Sequence, residues 1–178
     1  KILVTETSYL TTNIKKQLET IGPVKYGPFD KKSFLFYLPS VEIILIRLSI
    51  NFDKNILKKA KKLKYILTST TGLDHIDINF AQTRGIKIVS LRNCSSNLNQ
   101  ITSTAEHTWG LILSLNRNLI KAHQHVINGK WNRNKFWSRQ IKNIKLGIIG
   151  YGRIGKMIAR YGKSFGMQVI VHEKNSTK

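Results

Sequence analysis

The chain has 178 residues, 41% of them hydrophobic, and sets 30 Lys and Arg against 9 Asp and Glu, for a formal charge of +21 and a pI near 10.3. Such a length can bury one good core or two small ones, and the single cysteine, Cys94, excludes an internal disulfide and fits a reducing compartment. Apolar runs such as Val41 to Ile46 fall far short of the ~18 residues a membrane span needs, and the start, KILVTETSYL, lacks the apolar core of a signal peptide, so a globular, cytoplasmic protein is expected.

In chain order, Ile2 to Thr5 predicts a short apolar strand. Thr11 to Thr20 predicts an amphipathic helix with Ile14 and Leu18 inward, and Pro23 to Pro28 a turn punctuated by Gly and Pro. Val41 to Leu48 (VEIILIRL) is a nearly continuous β-branched run, as for a strand buried on both faces. The densest basic cluster follows, Lys54 to Lys64 (KNILKKAKKLK). Its Ile56, Leu57, Ala60 and Leu63 recur at the intervals of one buried helix face, leaving the lysines on the other. A basic excess can mark a nucleic-acid binder, but the remaining lysines are scattered without a localised footprint. The cluster therefore reads as a solvated face, and neither nucleic acid nor a membrane is expected as a partner.

Strand Tyr65 to Thr68, a turn over Thr70 to Asp74, a short helix opening at Asp77 and strand Lys87 to Ser90 complete an alternation of strands and helices that implies a parallel, doubly wound sheet. After the polar stretch Arg92 to Asn99, Ser103 followed by Glu106 predicts a capping box. The helix it opens, with Trp109, Leu111, Ile112, Leu113 and Leu115, is apolar almost all round and calls for burial between layers or subunits. A second helix, Leu119 to Ile127, precedes the aromatic and basic segment WNRNKFWSR.

The last third carries the chemistry. Ile144 to Ile149 predicts a strand, Gly150, Gly152 and Gly155 fit G-x-G-x-x-G, and Ile154, Ile158, Tyr161 and Phe165 recur as the buried face of a helix. The first glycine permits the tight turn, the second lets the backbone approach a pyrophosphate and the third lets helix pack on strand, with helix-start amides holding the phosphates. A second strand, Met167 to Val171, leads to Glu173, placed to accept from both ribose hydroxyls of NAD and to repel the extra phosphate of NADP.

Four segments in this order resemble the D-isomer-specific 2-hydroxyacid dehydrogenases, the group that includes phosphoglycerate dehydrogenases: TTGLDHIDINFAQTRGIKIVS (Thr70 to Ser90), TAEHTWGLILSLNRN (Thr104 to Asn118), NGKWNR (Asn128 to Arg133) and LGIIGYGRIGKMIARYGKSFGMQVIVHE (Leu146 to Glu173). The resemblance implies an α/β fold: a flavodoxin-like doubly wound parallel-sheet substrate domain over residues 1–98, then the first half of a Rossmann NAD-binding domain over residues 99–178, truncated after its second strand. It implies NAD as cofactor, a small 2-hydroxy or 2-oxo acid as substrate and a homodimer through helix 104–119. Thr71 would face the nicotinamide, and Thr70, Thr71 and Gly72 would bind the substrate carboxylate through the backbone of their turn. Gly150, Gly152, Arg153, Ile154 and Gly155 would hold the pyrophosphate, and Glu173 the ribose. Glu173 stands where the family more often has Asp, and Thr68 at a position often basic in phosphoglycerate-acting members. The family's catalytic Arg, Glu and His would lie beyond residue 178, so the 178 residues alone are expected to be inactive.

No histidine substitutes for that trio. His75 lies in DHID beside Asp74 and Asp77, but Asp77 reads as a helix cap and no second cluster completes a metal site. His107 and His172 read as structural, His123 and His125 cannot share a helix face, and Cys94 has no identifiable base. The alternative reading is a non-catalytic dimeric module that binds a nucleotide or another anion.

Overall fold

The computed structural model describes residues 1–93 and 98–174, so Cys94 and residues 175–178 lie outside the described residues. The chain divides into two compact units, Lys1–Leu98 and Asn99–Lys178.

The first unit is built on β1 (Ile2–Val4), β2 (Val24–Tyr26), β3 (Ile43–Ile46), β4 (Tyr65–Thr68) and β5 (Lys87–Ser90), all parallel in the order β2-β1-β3-β4-β5. That order is the flavodoxin-like one. Helices α1 (Thr12–Ile21), α2 (Lys31–Tyr37), α3 (Lys54–Lys59) and α4 (Ile78–Thr83) make the connections. Both faces of the sheet are covered, because side chains alternate along each strand. Leu3, Ile44, Ile46 and Ile66 join Phe34, Phe52 and Leu57 in the larger core, while Ile2 and Val4 pack with Leu18 on the opposite face. Aspartates start three of the helices: Asp30 accepts from the Ser33 N–H at 2.6 Å, Asp53 from Ile56 at 2.8 Å and Asp77 from Phe80 at 2.9 Å. Each satisfies an amide the helix itself leaves unpaired.

Several elements differ from the sequence expectation. The segment Pro23 to Pro28 holds β2, whose register with β1 (Ile2↔Val24) gives an edge strand its hydrogen bonds. Prolines flank it without interrupting the ladder, as an edge permits. Helix α2 follows, unforeseen because it is only seven residues long. Ile14 is more than a third exposed, so only Leu18 anchors α1. The lysine-rich helix ends at Lys59, since Ala60 leaves helical geometry at φ −78° and ψ 68°. The Arg84 guanidinium secures that end by donating to the carbonyls of Leu57, Ala60 and Lys61. Leu57, Ala60 and Leu63 are buried nonetheless.

The second unit contains α5 (Ser103–Asn116), α6 (Leu119–Ile127), β6 (Lys145–Ile149), α7 (Arg153–Ser164) and β7 (Gln168–His172), with β6 and β7 parallel. Ala105, Trp109, Ile148, Met157, Ile158 and Ala159 form its core, and the Trp109 indole stacks on Phe165 at 4.9 Å between centroids. The capping box at Ser103 does not form. Thr102 is the cap residue, and its hydroxyl donates to the Glu106 carboxylate and accepts from no backbone amide of the first turn. The stretch 104–119 is not one helix either: Asn118, at φ 53°, separates α5 from α6. Of the apolar residues on α5 only Ala105 and Trp109 are buried, and Leu115 is 82% exposed.

Candidate functional site

The glycine loop joins β6 to α7. Gly150 has φ +92°, a left-handed conformation strained for any side chain, and its N–H donates to the His172 carbonyl at 2.8 Å, which fixes the loop to the end of β7. Gly152 caps α7, and a Cβ there would meet nothing within 4 Å. Its free space faces outward, where a phosphate can approach the backbone. Gly155 is the reverse case: a Cβ would collide with the Gly150 carbonyl oxygen and lie 3.3 Å from Ile148 Cγ2. The three glycines therefore serve turn, access and close packing. Gly152 has no side chain to cap the helix, so the first-turn amide face of α7 is presented to an incoming anion.

Glu173 follows β7 and reaches back to this loop, its Oε2 accepting from the Tyr151 N–H at 2.5 Å. A carboxylate is thus held at the end of the second strand, beside the first. The Arg153 guanidinium donates to the Ile101 carbonyl at 2.8 Å, tying the start of α7 to the segment that enters α5. Gly150, Gly152, Arg153, Ile154, Gly155 and Glu173 are brought together here. Three participants were not foreseen. Tyr151 supplies the amide that Glu173 engages, and Lys156 Nζ lies 5.8 Å from its ring. Gly162 lets α7 lie on the sheet, because a Cβ there would be 2.7 Å from Leu146 Cδ2; its spacing of seven from Gly155, two helical turns along the same face, was the available signal. The Arg153 contact spans 52 residues and has no local signal.

Thr70, Thr71 and Gly72 belong to the first unit, in the turn that follows β4. The Thr70 hydroxyl donates to the Gly72 carbonyl at 2.7 Å and meets the Thr68 hydroxyl at 2.9 Å, which closes the turn from inside. Among the described residues the Thr71 and Gly72 N–H groups donate to no acceptor, and both residues are exposed. Outside the carboxyl ends of β3, β4 and β5 lies a cavity of about 230 Å³ lined by Tyr9, Leu45, Leu67, Thr68, Ser90 and Leu91. Open α/β sheets bind ligands at that end of their strands. The Arg47 guanidinium lies 5.0 Å from the Tyr9 ring. Glu6 accepts from the Leu48 and Ser49 N–H groups at 3.1 Å each. Burial pushes the Glu6 carboxyl upward, but hydrogen bonds from Ser49 and Leu48 and the charge of Arg47 bring it below its ordinary value. Burial, with Glu6 nearby, raises the Tyr9 phenol.

The His75 ring nitrogen Nε2 is buried without a hydrogen-bond partner among the described residues, while its carbonyl accepts from the Phe52 N–H at 2.7 Å. His125 Nε2 accepts from the Asn132 N–H at 3.2 Å. Among the described residues no group of three or more His, Cys, Asp or Glu could hold a metal ion, and no helix is long and apolar enough to cross a membrane.

A family model described as "D-isomer specific 2-hydroxyacid dehydrogenase, NAD binding domain" matches residues 109–178. D-3-phosphoglycerate dehydrogenase of Methanocaldococcus jannaschii is 33% identical over 174 residues, covering 97% of this chain and 32% of that protein. Hydroxypyruvate reductase of Thermotoga maritima is 29% identical over 144 residues, covering 81% of this chain and 45% of that protein. The chain thus spans less than half the length of either relative. Among solved structures, D-lactate dehydrogenase of Aquifex aeolicus, complexed with NAD and lactic acid, superposes with a TM-score of 0.87 at 26% identity, over 100% of this chain and 53% of that one.

Proposed function

The chain belongs to the D-isomer-specific 2-hydroxyacid dehydrogenase family, and from that premise we propose that it serves an NAD-dependent oxidoreductase interconverting a 2-hydroxy acid and a 2-oxo acid. The observation that carries the proposal is the glycine loop: a left-handed Gly150, an open Gly152 and a Gly155 packed on the Gly150 carbonyl, with Glu173 at the end of the next strand. The cofactor is NAD, which when bound supplies the hydride acceptor and donor.

The chain's own part in this reaction is binding and orientation. The start of α7 holds the pyrophosphate with its first-turn amides, Arg153 and Ile154 among them. Glu173 accepts from the ribose hydroxyls. In the first unit the unengaged N–H groups of Thr71 and Gly72 receive the substrate carboxylate, and Thr70 keeps their turn closed. Thr71 faces the nicotinamide. The residues 1–98 are the substrate-binding domain and 99–178 the NAD-binding one, and two copies associate through the exposed face of α5 and α6. Proton transfer requires an acid and base that we assign to none of the 178 residues.

Calorimetric titration of the chain with NAD tests the proposal. Saturable binding of one NAD per chain, lost when Gly152 is replaced by a bulky residue such as Val, is expected. No binding of NAD or NADH by the folded chain would overturn it.

A further inference from the structure

The sheet gathers lysines that are far apart in the chain. The parallel strands of the first unit all begin at one edge, opposite the end that holds the Thr70 turn, and their register aligns Ile2 with Ile43, Ile43 with Tyr65 and Tyr65 with Lys87. Lys64, immediately before β4, and Lys87, first in β5, therefore stand side by side, with the Lys87 N–H on the Lys64 carbonyl at 2.9 Å. Lys61 and Lys62 precede them in the turn that Arg84 staples. Lys25 of β2 pairs with Leu3 and so lies on the opposite face from Tyr65 and Lys87, its Nζ 6.0 Å from the Tyr37 ring centroid. Lys61, Lys62, Lys64 and Lys87 thus form a cationic row where β4 and β5 begin.

One acid interrupts this row, and its charge is already used. Glu42 Oε1 accepts from Lys64 Nζ at 2.8 Å and Oε2 from the Lys1 amino group at 2.9 Å, and these contacts hold its carboxyl down to about 2. An aromatic ring stands among the cations: Tyr65, 37% exposed, lies under Lys87 Nζ at 6.0 Å. Exposed rings within a cationic track suit unpaired bases, since stacking needs only a π-face while the lysines take the phosphates.

We propose that the amino-terminal edge of the five-stranded sheet, where β4 and β5 begin, binds single-stranded nucleic acid, with phosphates on Lys61, Lys62 and Lys87 and a base stacked on Tyr65. This surface is at the opposite end of the strands from the Thr70 turn. Its existence does not depend on the proposed enzymatic reading.

Fluorescence anisotropy of the chain with a labelled 20-nucleotide oligo(U), titrated over a series of KCl concentrations, tests this. Three phosphate contacts on a single strand give a log–log salt slope of about −2.1, and losing all three leaves a slope near zero. The triple variant K61Q/K62Q/K87Q is expected to bind at least tenfold more weakly with that flatter slope. Tyr65→Ala should weaken binding several-fold without changing the slope. The control K16Q/K32Q/K163Q, which removes as much charge elsewhere, should bind within twofold of the parent, and circular dichroism melting confirms that each variant is folded. Equal weakening by the control and edge variants would overturn the site in favour of a general field. Absence of oligonucleotide binding, or equal binding to vesicles containing phosphatidylserine with no effect of Tyr65→Ala, would overturn it as well.

Discussion

The carbonyl oxygen of Gly150 occupies the space where a side chain on Gly155 would begin, so the first and third glycines of the loop are pressed together. The obstacle is backbone and cannot swing aside. Gly155→Ala should therefore push α7 away from β6, costing roughly 1–3 kcal/mol of stability and most of the NAD affinity. Chemical denaturation and NAD titration of the variant measure both. An unchanged midpoint would show that the loop relaxes freely.

Glu173 has two duties in this geometry, since its carboxylate already accepts from the Tyr151 N–H. Glu173→Gln keeps an acceptor for that amide but removes the charge that a 2′-phosphate would meet. It should narrow the preference for NAD over NADP while leaving NAD binding largely intact. Glu173→Ala should weaken both. Competitive titrations with the two dinucleotides distinguish these outcomes, and tighter NADP than NAD binding to the parent chain would mean that another residue reads the ribose.

The 178 residues should show no steady NADH production with NAD and D-lactate, D-glycerate or D-3-phosphoglycerate. Without an acid/base group and a carbonyl clamp, losses of several orders of magnitude follow. Absorbance at the NADH band, followed on purified chain, decides the matter; turnover abolished by Gly152→Val would contradict it.

Leu111, Leu115 and Ile120 are exposed on α5 and α6, although Trp109 is buried within its own unit. Together they leave an apolar surface that association would cover. Sedimentation velocity should give twice the 20.4 kDa chain mass, and Leu115→Glu should restore the monomer. A parent chain that stays monomeric at micromolar concentration would refute the dimer.

Lys64, with the Lys1 amino group, holds the Glu42 carboxyl at about 2 against an ordinary 4.5. Because the folded value is the lower one, the unfolded chain takes up the proton first. The contribution of Glu42 is thus complete above pH 4.5 and disappears as pH falls toward 2. Melting temperatures recorded across that window should fall less steeply for Glu42→Gln than for the parent, and parallel curves would show that the exposed pair contributes nothing.

Local signals determined much of this protein. β4 and β5 occupy the residues their apolar runs marked, α6 runs from Leu119 to Ile127 as its period required, and Asp77 caps α4. The glycine spacing and Glu173 were legible because each answers a constraint of the adjacent backbone. Elsewhere the deciding contacts were distant. Val24 to Tyr26 is a strand because β1 offers it hydrogen-bond partners, and α3 ends at Lys59, where the guanidinium of Arg84 donates to the carbonyls of Leu57, Ala60 and Lys61. Thr102, not Ser103, caps α5, with its hydroxyl on Glu106. Lys64 and Lys87 look unrelated along the chain, and only the parallel register of β4 and β5 makes them neighbours. Local propensity decides whether a segment can be a strand or a helix; which charges become neighbours depends on long-range pairing that the residues themselves do not announce.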